Sequence, residues 1–353
     1  LNPKYVLPDR KTVREMIKKK FEAKKKDIKE IIAKNDSNIN FTTDVWSSLI
    51  KDPYLSLTSH FIDNEWELNE FLLDVPYFPH PHDASMVCDS IEQILDDFGI
   101  SEKFHSISCD NAANMCFAAE MLCEKRENAI HVRTRDLSFS KRVVSSHLFP
   151  CFKLIEDHLR CCETDQNFDF IKDAIVDMKD KFLAYWEKII DVALICHMLD
   201  PRFKKSYLEG KVLKKRATDL FKSRFGSYES LNLNSQAETS SDTSTKEKPK
   251  TLMERMISKV TNTKNNNDDE INKYFKQPPI EFSNETNVLL WWKENSKTFP
   301  CIAKMARDYL SLMPTSVPSE KTFSIGGLTV DENRTKLHSN TVKELLCLKS
   351  WLN

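Results

Sequence analysis

Glycine is scarce in this sequence, and its cysteines do not have the spacing of a zinc site. Only 5 of the 353 residues are glycine and 14 are proline. A β-sandwich needs glycine at many of its turns, so this composition favours a helix-rich protein. None of the 10 cysteines stands in a C-x-x-C pair. We therefore expect neither a disulfide framework nor structural zinc, with most cysteines acting as small apolar core residues.

The sequence also lacks a long apolar run and an excess of either charge. No segment approaches the roughly 18–20 apolar residues that cross a bilayer, so we expect no membrane partner. The 52 basic and 53 acidic residues give a net charge of -1. This balance argues against nucleic acid bound over the whole surface, but it leaves room for a local basic patch. The opening Leu1-Asn2-Pro3 indicates neither a start methionine nor a signal peptide, so we expect a longer protein.

The spacing of apolar residues predicts an α/β region over the first third of the chain. Residues 9–34 have helical spacing with a strongly charged outer face. Three β-branched and aromatic segments separated by turns then predict an antiparallel meander. A helix, a short strand, a second helix and a last strand follow, which is the order of an RNase H-like fold. The predicted strands are 38–46, 54–62, 66–75, 104–109 and 129–134, and the two helices are 84–98 and 111–124.

The rest of the chain is predicted to be helical, with one polar interruption. Residues 146–208 carry apolar residues at helical spacing, and residues 228–267 have too little apolar surface to offset the entropy of ordering. The fold class is therefore α/β, an RNase H-like mixed sheet with helices, interrupted by a shortened all-helical insertion and ending in a helical C-terminus. We divide the chain into a charged helical segment (1–36), the first part of the core (37–135), the truncated insertion (136–227), a disordered linker with a short helix at 252–260 (228–270) and a C-terminal completion of the core (271–353).

Two aspartates stand at the ends of predicted strands. Asp44 lies in the first strand, within Thr-Thr-Asp-Val-Trp, and Asp110 follows the fourth, within Cys-Asp-Asn-Ala-Ala-Asn. The first and fourth strands of an RNase H-like sheet are neighbours, so the two carboxylates can approach and a divalent cation would offset their repulsion. Two simpler alternatives stay open. Asp110 could only cap the following helix, and Asp44 could pair with an arginine.

Several short motifs follow one another in the second half of the chain. They are Leu-Asp-Pro-Arg-Phe at 199–203, Trp-Trp-Lys at 291–293, Met-Ala-Arg-Asp-Tyr-Leu at 305–310, Pro-Ser-Glu-Lys-Thr-Phe-Ser at 318–324, Asn-Arg at 333–334 and Leu-Leu-Cys-Leu-Lys-Ser-Trp-Leu at 345–352. Together with the two aspartate motifs, they resemble the hAT superfamily of DNA transposases and the host proteins derived from it.

The resemblance implies a catalytic and metal-binding triad made of Asp44, Asp110 and Glu320. Such a site holds Mg²⁺ or Mn²⁺ and transfers phosphoryl groups at DNA ends. By analogy with the family, Asp44 would bridge two metal ions, while Asp110 and Glu320 would each hold one. The resemblance further implies a nuclear protein with DNA as a partner. DNA would be read through an N-terminal BED-type zinc finger that this sequence does not contain.

The C-terminal region is expected to self-associate as a dimer or larger homo-oligomer. Apolar residues there form two stripes. The last helix of a chain is not expected to bury both of its flanks within one copy, so part of its stripe would face another copy. The alternative is that these stripes pack back on the chain's own core. The candidate dimerisation residues are Trp291, Trp292, Leu345, Leu346, Leu348 and Trp351.

Two family elements are missing, which predicts impaired catalysis. After residues 130–133 the family continues with a Cys-x-x-His motif and a Leu-Asn-Leu helix, whereas this chain reads Thr-Arg-Asp-Leu-Ser-Phe-Ser-Lys. The family's insertion also carries a tryptophan near the DNA end, but no tryptophan lies between Asp110 and Ala184. The alternative function is a non-catalytic scaffold derived from a transposase, which binds DNA, regulates transcription or binds proteins.

Overall fold

A computed structural model shows that the chain forms two compact units. It describes residues 8–47, 52–110, 112–126, 128–133, 145–238, 267–281, 286–314 and 337–352. The first unit, here called the sheet unit, comprises Leu1–Val144 and Ser311–Asn353. The second, the helical unit, is Ser145–Leu310. Residues 271–310 were expected to complete the sheet domain, but they belong to the helical unit.

The sheet unit contains a mixed five-stranded sheet with the order β3-β2-β1-β4-β5. Neighbouring strands β1, β2 and β3 are antiparallel, whereas β4 pairs parallel with both β1 and β5. The predicted RNase H-like arrangement, with the first and fourth strands adjacent, is confirmed. The strands are β1 (Ile39–Ser47), β2 (Pro53–Ile62), β3 (Leu68–Asp74), β4 (Phe104–Cys109) and β5 (Ile130–Arg133).

Helices α2 (Ala84–Phe98) and α3 (Ala113–Glu124) supply apolar residues to the main core of the sheet unit. The Asp83 side chain accepts a hydrogen bond from the Met86 N–H and begins α2. Gly99 ends it with a φ of 67°, a left-handed conformation that a glycine adopts without strain. The core also contains Phe41, Leu57 and Ile107 of the three central strands, each fully buried.

A second core cluster joins the two ends of the chain. Helix α1 (Arg10–Lys34) contacts the last helix, Ser339–Trp351, which also contacts β3. Phe21 stacks on Trp351 with ring centroids 5.2 Å apart. The sheet unit is therefore assembled from both ends of the sequence.

The helical unit has a core rich in aromatic side chains. Tyr274 and Trp292 are completely buried, and their rings stack at 5.5 Å. Residues 228–238 were assigned to a disordered linker, but they continue a long helix instead; the rest of that linker, residues 239–266, lies outside the described residues. No described helix is long and apolar enough to cross a membrane. The helices are α4 (Leu148–Thr164), α5 (Lys172–Leu199), α6 (Lys211–Glu238), α7 (Asn267–Lys276), α8 (Val288–Asn295) and α9 (Pro300–Leu310), and α10 is Ser339–Trp351 of the sheet unit.

Candidate active site at the carboxyl ends of two parallel strands

The two aspartates lie at the same edge of the sheet. Strands β1 and β4 are parallel, and Thr42 pairs with Ser108. Asp44 and Asp110 are each two residues further along, so the register carries them to neighbouring positions at the carboxyl ends of the strands. Both are half-buried. Glu320, the third predicted ligand, lies outside the described residues.

A buried polar face leads along the sheet to these carboxylates. Side chains two residues apart on a strand share a face, so Asn40 and Thr42 precede Asp44 on one side of β1. Ser106 and Ser108 likewise precede Asp110. The Ser106 hydroxyl donates to the Asn40 side-chain oxygen at 2.5 Å, and the Asn40 amide donates to the Ser311 hydroxyl at 2.8 Å.

This polar face is covered by the segment that re-enters the sheet unit at Ser311. The Ser108 hydroxyl donates to the Met313 carbonyl at 2.6 Å. On the other side, the Thr42 hydroxyl lies 3.1 Å from Nε2 of His60, a fully buried histidine of β2. Buried polar groups without partners destabilise a fold, so these hydrogen bonds fix the side chains in place behind the aspartates.

Each aspartate also accepts a hydrogen bond from its own backbone neighbourhood. One Asp44 carboxylate oxygen accepts from the Val45 N–H at 2.7 Å, and one of Asp110 accepts from the Ala112 N–H at 3.2 Å. The second contact forms the turn into α3, whose N-cap is Ala112 without a side-chain cap. Asp110 is therefore not the N-cap itself, and it holds the turn from two positions earlier.

The donors at this edge suit a hard divalent cation. Oxygen ligands from carboxylates are those that Mg²⁺ and Mn²⁺ prefer. Asp44 and Asp110 would hold such an ion from two adjacent strands that a parallel ladder keeps in register. The residues present therefore fit a divalent metal ion.

The predicted dimerisation residues of α8 pack inside the helical unit. Trp292 is fully buried, and its indole N–H donates to the Leu199 carbonyl at 3.0 Å. Trp291 is half-buried and meets the Trp292 ring edge-on at 5.0 Å. Because a single copy of the chain already buries these rings, their positions do not require a partner.

The predicted residues of α10 pack on the sheet unit, as the alternative hypothesis states. Leu346 is fully buried and Leu348 is 7% exposed, both in a cluster with Phe21. The Trp351 indole N–H donates to the Leu72 carbonyl at 2.7 Å. Leu345 is half-buried. The inward stripe of α10 therefore belongs to the core of its own unit.

The Leu-Asp-Pro-Arg-Phe motif forms a buried ion pair at the end of α5. Asp200 is fully buried, and the Arg202 guanidinium donates to both of its carboxylate oxygens, at 2.7 Å and 3.0 Å. A backbone carbonyl at this helix end is also hydrogen-bonded: the Tyr274 hydroxyl donates to the Met198 carbonyl at 3.0 Å. The motif satisfies polar groups where α5 ends.

Sequence reasoning missed a cluster of two thiols and an imidazole beside Asp110. Cys109, Cys116 and His131 bring their side-chain donor atoms within 4.8 Å of one another. Scattered spacing along the sequence hid this cluster, since the three residues meet only when β4, α3 and β5 pack together. The pairing order of strands 104–109 and 129–134 was the signal that could have revealed it.

Family models match three stretches of the chain. One is described as "ZBED1 RNase-like domain" and matches residues 42–134. The second, "hAT-like transposase, RNase-H fold", matches residues 146–223. The third, "hAT family C-terminal dimerisation region", matches residues 270–352.

Three curated relatives illustrate the similarity, and all three come from plants. The chain is 30% identical over 198 residues to the "Putative AC transposase" of Zea mays, covering 52% of this chain and 24% of that protein. It is 28% identical over 188 residues to the zinc finger BED domain-containing protein DAYSLEEPER of Arabidopsis thaliana, covering 52% and 27%. With RICESLEEPER 3 of Oryza sativa subsp. japonica, identity is 19% over 497 residues, covering all of this chain and 66% of that protein.

These matches and the RNase H-like sheet indicate the class of protein. The chain contains regions that hAT-family models match, and its relatives are AC transposases and BED zinc finger proteins. It contains the family's C-terminal dimerisation region. The alignments with the Zea mays and Arabidopsis thaliana relatives cover only about a quarter of the length of those two proteins.

Proposed function

We propose that the chain is the RNase H-like core of a nuclear, DNA-associated protein of the hAT type, with a metal-dependent site at Asp44 and Asp110. The observation that carries this proposal is the parallel register of β1 and β4, which brings the two aspartates to neighbouring strand ends. Glu320, in the Pro-Ser-Glu-Lys-Thr-Phe-Ser motif, is proposed as the third ligand by resemblance to the family.

The residues of this site would position a DNA phosphate for in-line attack. Mg²⁺ or Mn²⁺, when bound, would activate a water or 3′-hydroxyl and stabilise the leaving oxygen. Asp44 pairs with Ser56 of β2, two residues beyond the last pair of β1 with β4, so the backbone that carries its carboxylate would be held in place. Asp110 stands at the start of the turn into α3, at the edge from which a DNA strand could approach.

We propose further that catalysis is weak. The Cys-x-x-His motif and the insertion tryptophan of the family are absent from this sequence, so groups that position a DNA end are missing. Misplacement of reacting atoms by about 1 Å can cost on the order of a hundredfold in rate. Such a protein would keep the metal site and bind DNA without cutting it efficiently, which is the function of a regulatory scaffold.

The test combines metal binding with DNA cleavage. Purified chain is titrated with Mn²⁺ by electron paramagnetic resonance and is then incubated with terminal-repeat DNA. We expect Asp44→Asn and Asp110→Asn to lose the tightest Mn²⁺, while Asp89→Asn, at an exposed position of α2, keeps it. Unchanged Mn²⁺ binding in all three variants contradicts the metal site. Efficient cleavage that Asp44→Asn abolishes contradicts weak catalysis.

We also propose that the chain forms a homodimer or a larger homo-oligomer through residues 270–352. The support is the family match there, and the half-buried Leu345 and exposed Leu290 offer surface in that region. Light scattering on the intact chain is expected to give at least a dimer. The variants Leu345→Asp and Leu290→Asp leave the buried side chains in place, and at least one is expected to reduce the mass. A monomeric intact chain contradicts self-association.

A further inference from the structure

Three soft donor groups converge behind the strand end that carries Asp110. They are the thiols of Cys109 and Cys116 and the imidazole of His131, all within 4.8 Å of one another. The Cys109 sulfur lies 3.4 Å from Nε2 of His131. Two thiols and one imidazole form a donor set that favours zinc, whereas Mg²⁺ and Mn²⁺ prefer oxygen.

The fold brings these donors together from three different elements. Strands β4 and β5 are parallel with Ile107 opposite His131, so Cys109 is the next residue of β4 on the same face. Helix α3 begins after a short turn and carries Cys116 in its first turns. The Cys116 sulfur lies 3.5 Å from the Asp110 carbonyl oxygen, which ties the helix to the end of β4.

The burial of the three residues suits a bound ion. Cys109 is fully buried and Cys116 is 8% exposed, so the thiols lie in the apolar core. His131 is half-buried and therefore lies nearer the surface than the two thiols. A site with a closed interior and one accessible side can both exclude competing ligands and admit an ion.

The distances are close to those of a tetrahedral zinc site. Bonds of about 2.3 Å to sulfur and about 2.0 Å to nitrogen separate neighbouring ligand atoms by roughly 3.5–3.8 Å. The Cys109 sulfur and Nε2 of His131 are already about this far apart, at 3.4 Å, and all three donor atoms lie within 4.8 Å of one another. Three protein ligands leave a fourth position for water, as in zinc sites with an open coordination position.

We propose that Cys109, Cys116 and His131 bind one Zn²⁺ ion, at a site separate from the Asp44–Asp110 edge. This site differs from the expectation of no structural zinc, and it does not depend on DNA chemistry at the aspartates. Zinc would link β4, α3 and β5 at the point where the turn at Asp110 begins. The alternative is a thiol and an imidazole that share only a hydrogen bond.

Cobalt substitution tests the site directly. The reduced, purified chain is titrated with Co²⁺, which gives thiolate charge-transfer absorption when cysteine binds it. We expect one Co²⁺ per chain, displaced by Zn²⁺. The absorption is expected to be lost in Cys109→Ser and Cys116→Ser, and Cys88→Ser, a buried cysteine of the same core, is expected to keep it.

Two further variants keep the test decisive if a buried substitution unfolds the chain. His131→Asn changes a half-buried side chain, and it is expected to lose both the absorption and the rise in melting temperature that Zn²⁺ gives the unaltered chain. Cys162→Ser removes an alternative donor, because Cys162 lies 3.6 Å from Nε2 of His158 on α4. Absence of any absorption, its persistence in His131→Asn or its loss in Cys162→Ser would overturn the assignment.

Discussion

The sheet unit and the helical unit bury polar side chains in different ways. In the sheet unit the buried face behind Asp44 consists of neutral groups: the Ser106 hydroxyl donates to Asn40, and the Ser108 hydroxyl donates to the Met313 carbonyl. In the helical unit several of the buried polar groups are charged. Asp200 pairs with Arg202, and the Lys204 ammonium donates to two backbone carbonyls.

The difference separates polar residues that support a site from those that close helix ends. The neutral groups of the sheet unit run along two strands and end at carboxylates that remain half-buried. The charged groups of the helical unit instead satisfy carbonyls and a carboxylate where α5 and α7 end. The Leu-Asp-Pro-Arg-Phe motif therefore stabilises structure, although it resembles the family as closely as the aspartate motifs do.

The largest effect is expected from breaking the ion pair of the helical unit. Arg202→Met leaves the fully buried Asp200 carboxylate without its guanidinium, which we expect to lower the free energy of unfolding by about 3–5 kcal/mol. Chemical denaturation measures the loss. Arg216→Met is the matched control, since Arg216 pairs with Glu187 and Asp191 at exposed positions and should cost no more than about 1 kcal/mol.

A double variant shows whether the unpaired charge causes that loss. Asp200→Asn together with Arg202→Met removes both charges, so it should be less destabilising than Arg202→Met alone. Equal losses of unfolding free energy in Arg202→Met and Arg216→Met would mean that the buried pair stabilises the chain no more than an exposed one.

The second-largest effect is expected on the pH dependence of the unfolding free energy, to which Lys204 contributes. Burial lowers the pKa of Lys204 to about 8 from its ordinary value of 10.5. Between these values the unfolded chain binds more protons than the folded one, so the contribution of Lys204 makes unfolding harder as pH rises. We expect the difference in unfolding free energy between the unaltered chain and Lys204→Met to increase by up to about 1.4 kcal/mol per pH unit over that window.

Comparison with the variant is needed because other groups titrate in the opposite direction. Burial raises the pKa of Cys123 to about 12 from its ordinary value of 9.0. Above pH 9.0 the contribution of this thiol therefore lowers the free energy of unfolding as pH rises. Lys211→Met, at an exposed position of α6, is the matched control for the loss of a lysine side chain. A flat difference for Lys204→Met between pH 8 and 10 would contradict the lowered pKa.

The smallest effect is expected in the neutral network of the sheet unit. Asn40→Ala leaves the Ser106 and Ser311 hydroxyls without their shared partner, which should cost about 1–3 kcal/mol. Asn64→Ala removes an asparagine that makes exposed hydrogen bonds, and it should change thermal stability far less. A larger loss for Asn40→Ala than for Arg202→Met would reverse the contrast between the two units.

Local signals explain which parts of the fold could be predicted. The helix at 84–98 was predicted at its observed bounds from its apolar face and the stop at Gly99, and the structure adds Asp83 as its N-cap. The strand at 104–109 also matches, since a short buried strand between two turns has few alternative registers. The neighbouring positions of Asp44 and Asp110 followed from the order of elements in an RNase H-like sheet.

The features that were missed depend on tertiary packing. Residues 228–238 are polar, but they extend a helix that has already formed, and adding a residue to an existing helix costs little compared with starting one. The apolar stripes of α8 and α10 could equally face a partner or the chain's own core. Burial of Trp292 beneath the end of α5 decides this for α8, and only the folded chain shows it.

The packing of α10 on α1 has a consequence for synthesis on the ribosome. Lys343 pairs with Asp74 at 2.6 Å and Trp351 covers Phe21, so the second core cluster closes only after α10 has emerged. At about 5–20 residues per second, the 166 residues of Ser145–Leu310, which separate the two parts of the sheet unit, take on the order of 8–33 s to translate. During that interval the nascent sheet exposes an apolar face, which makes it a natural client for a chaperone.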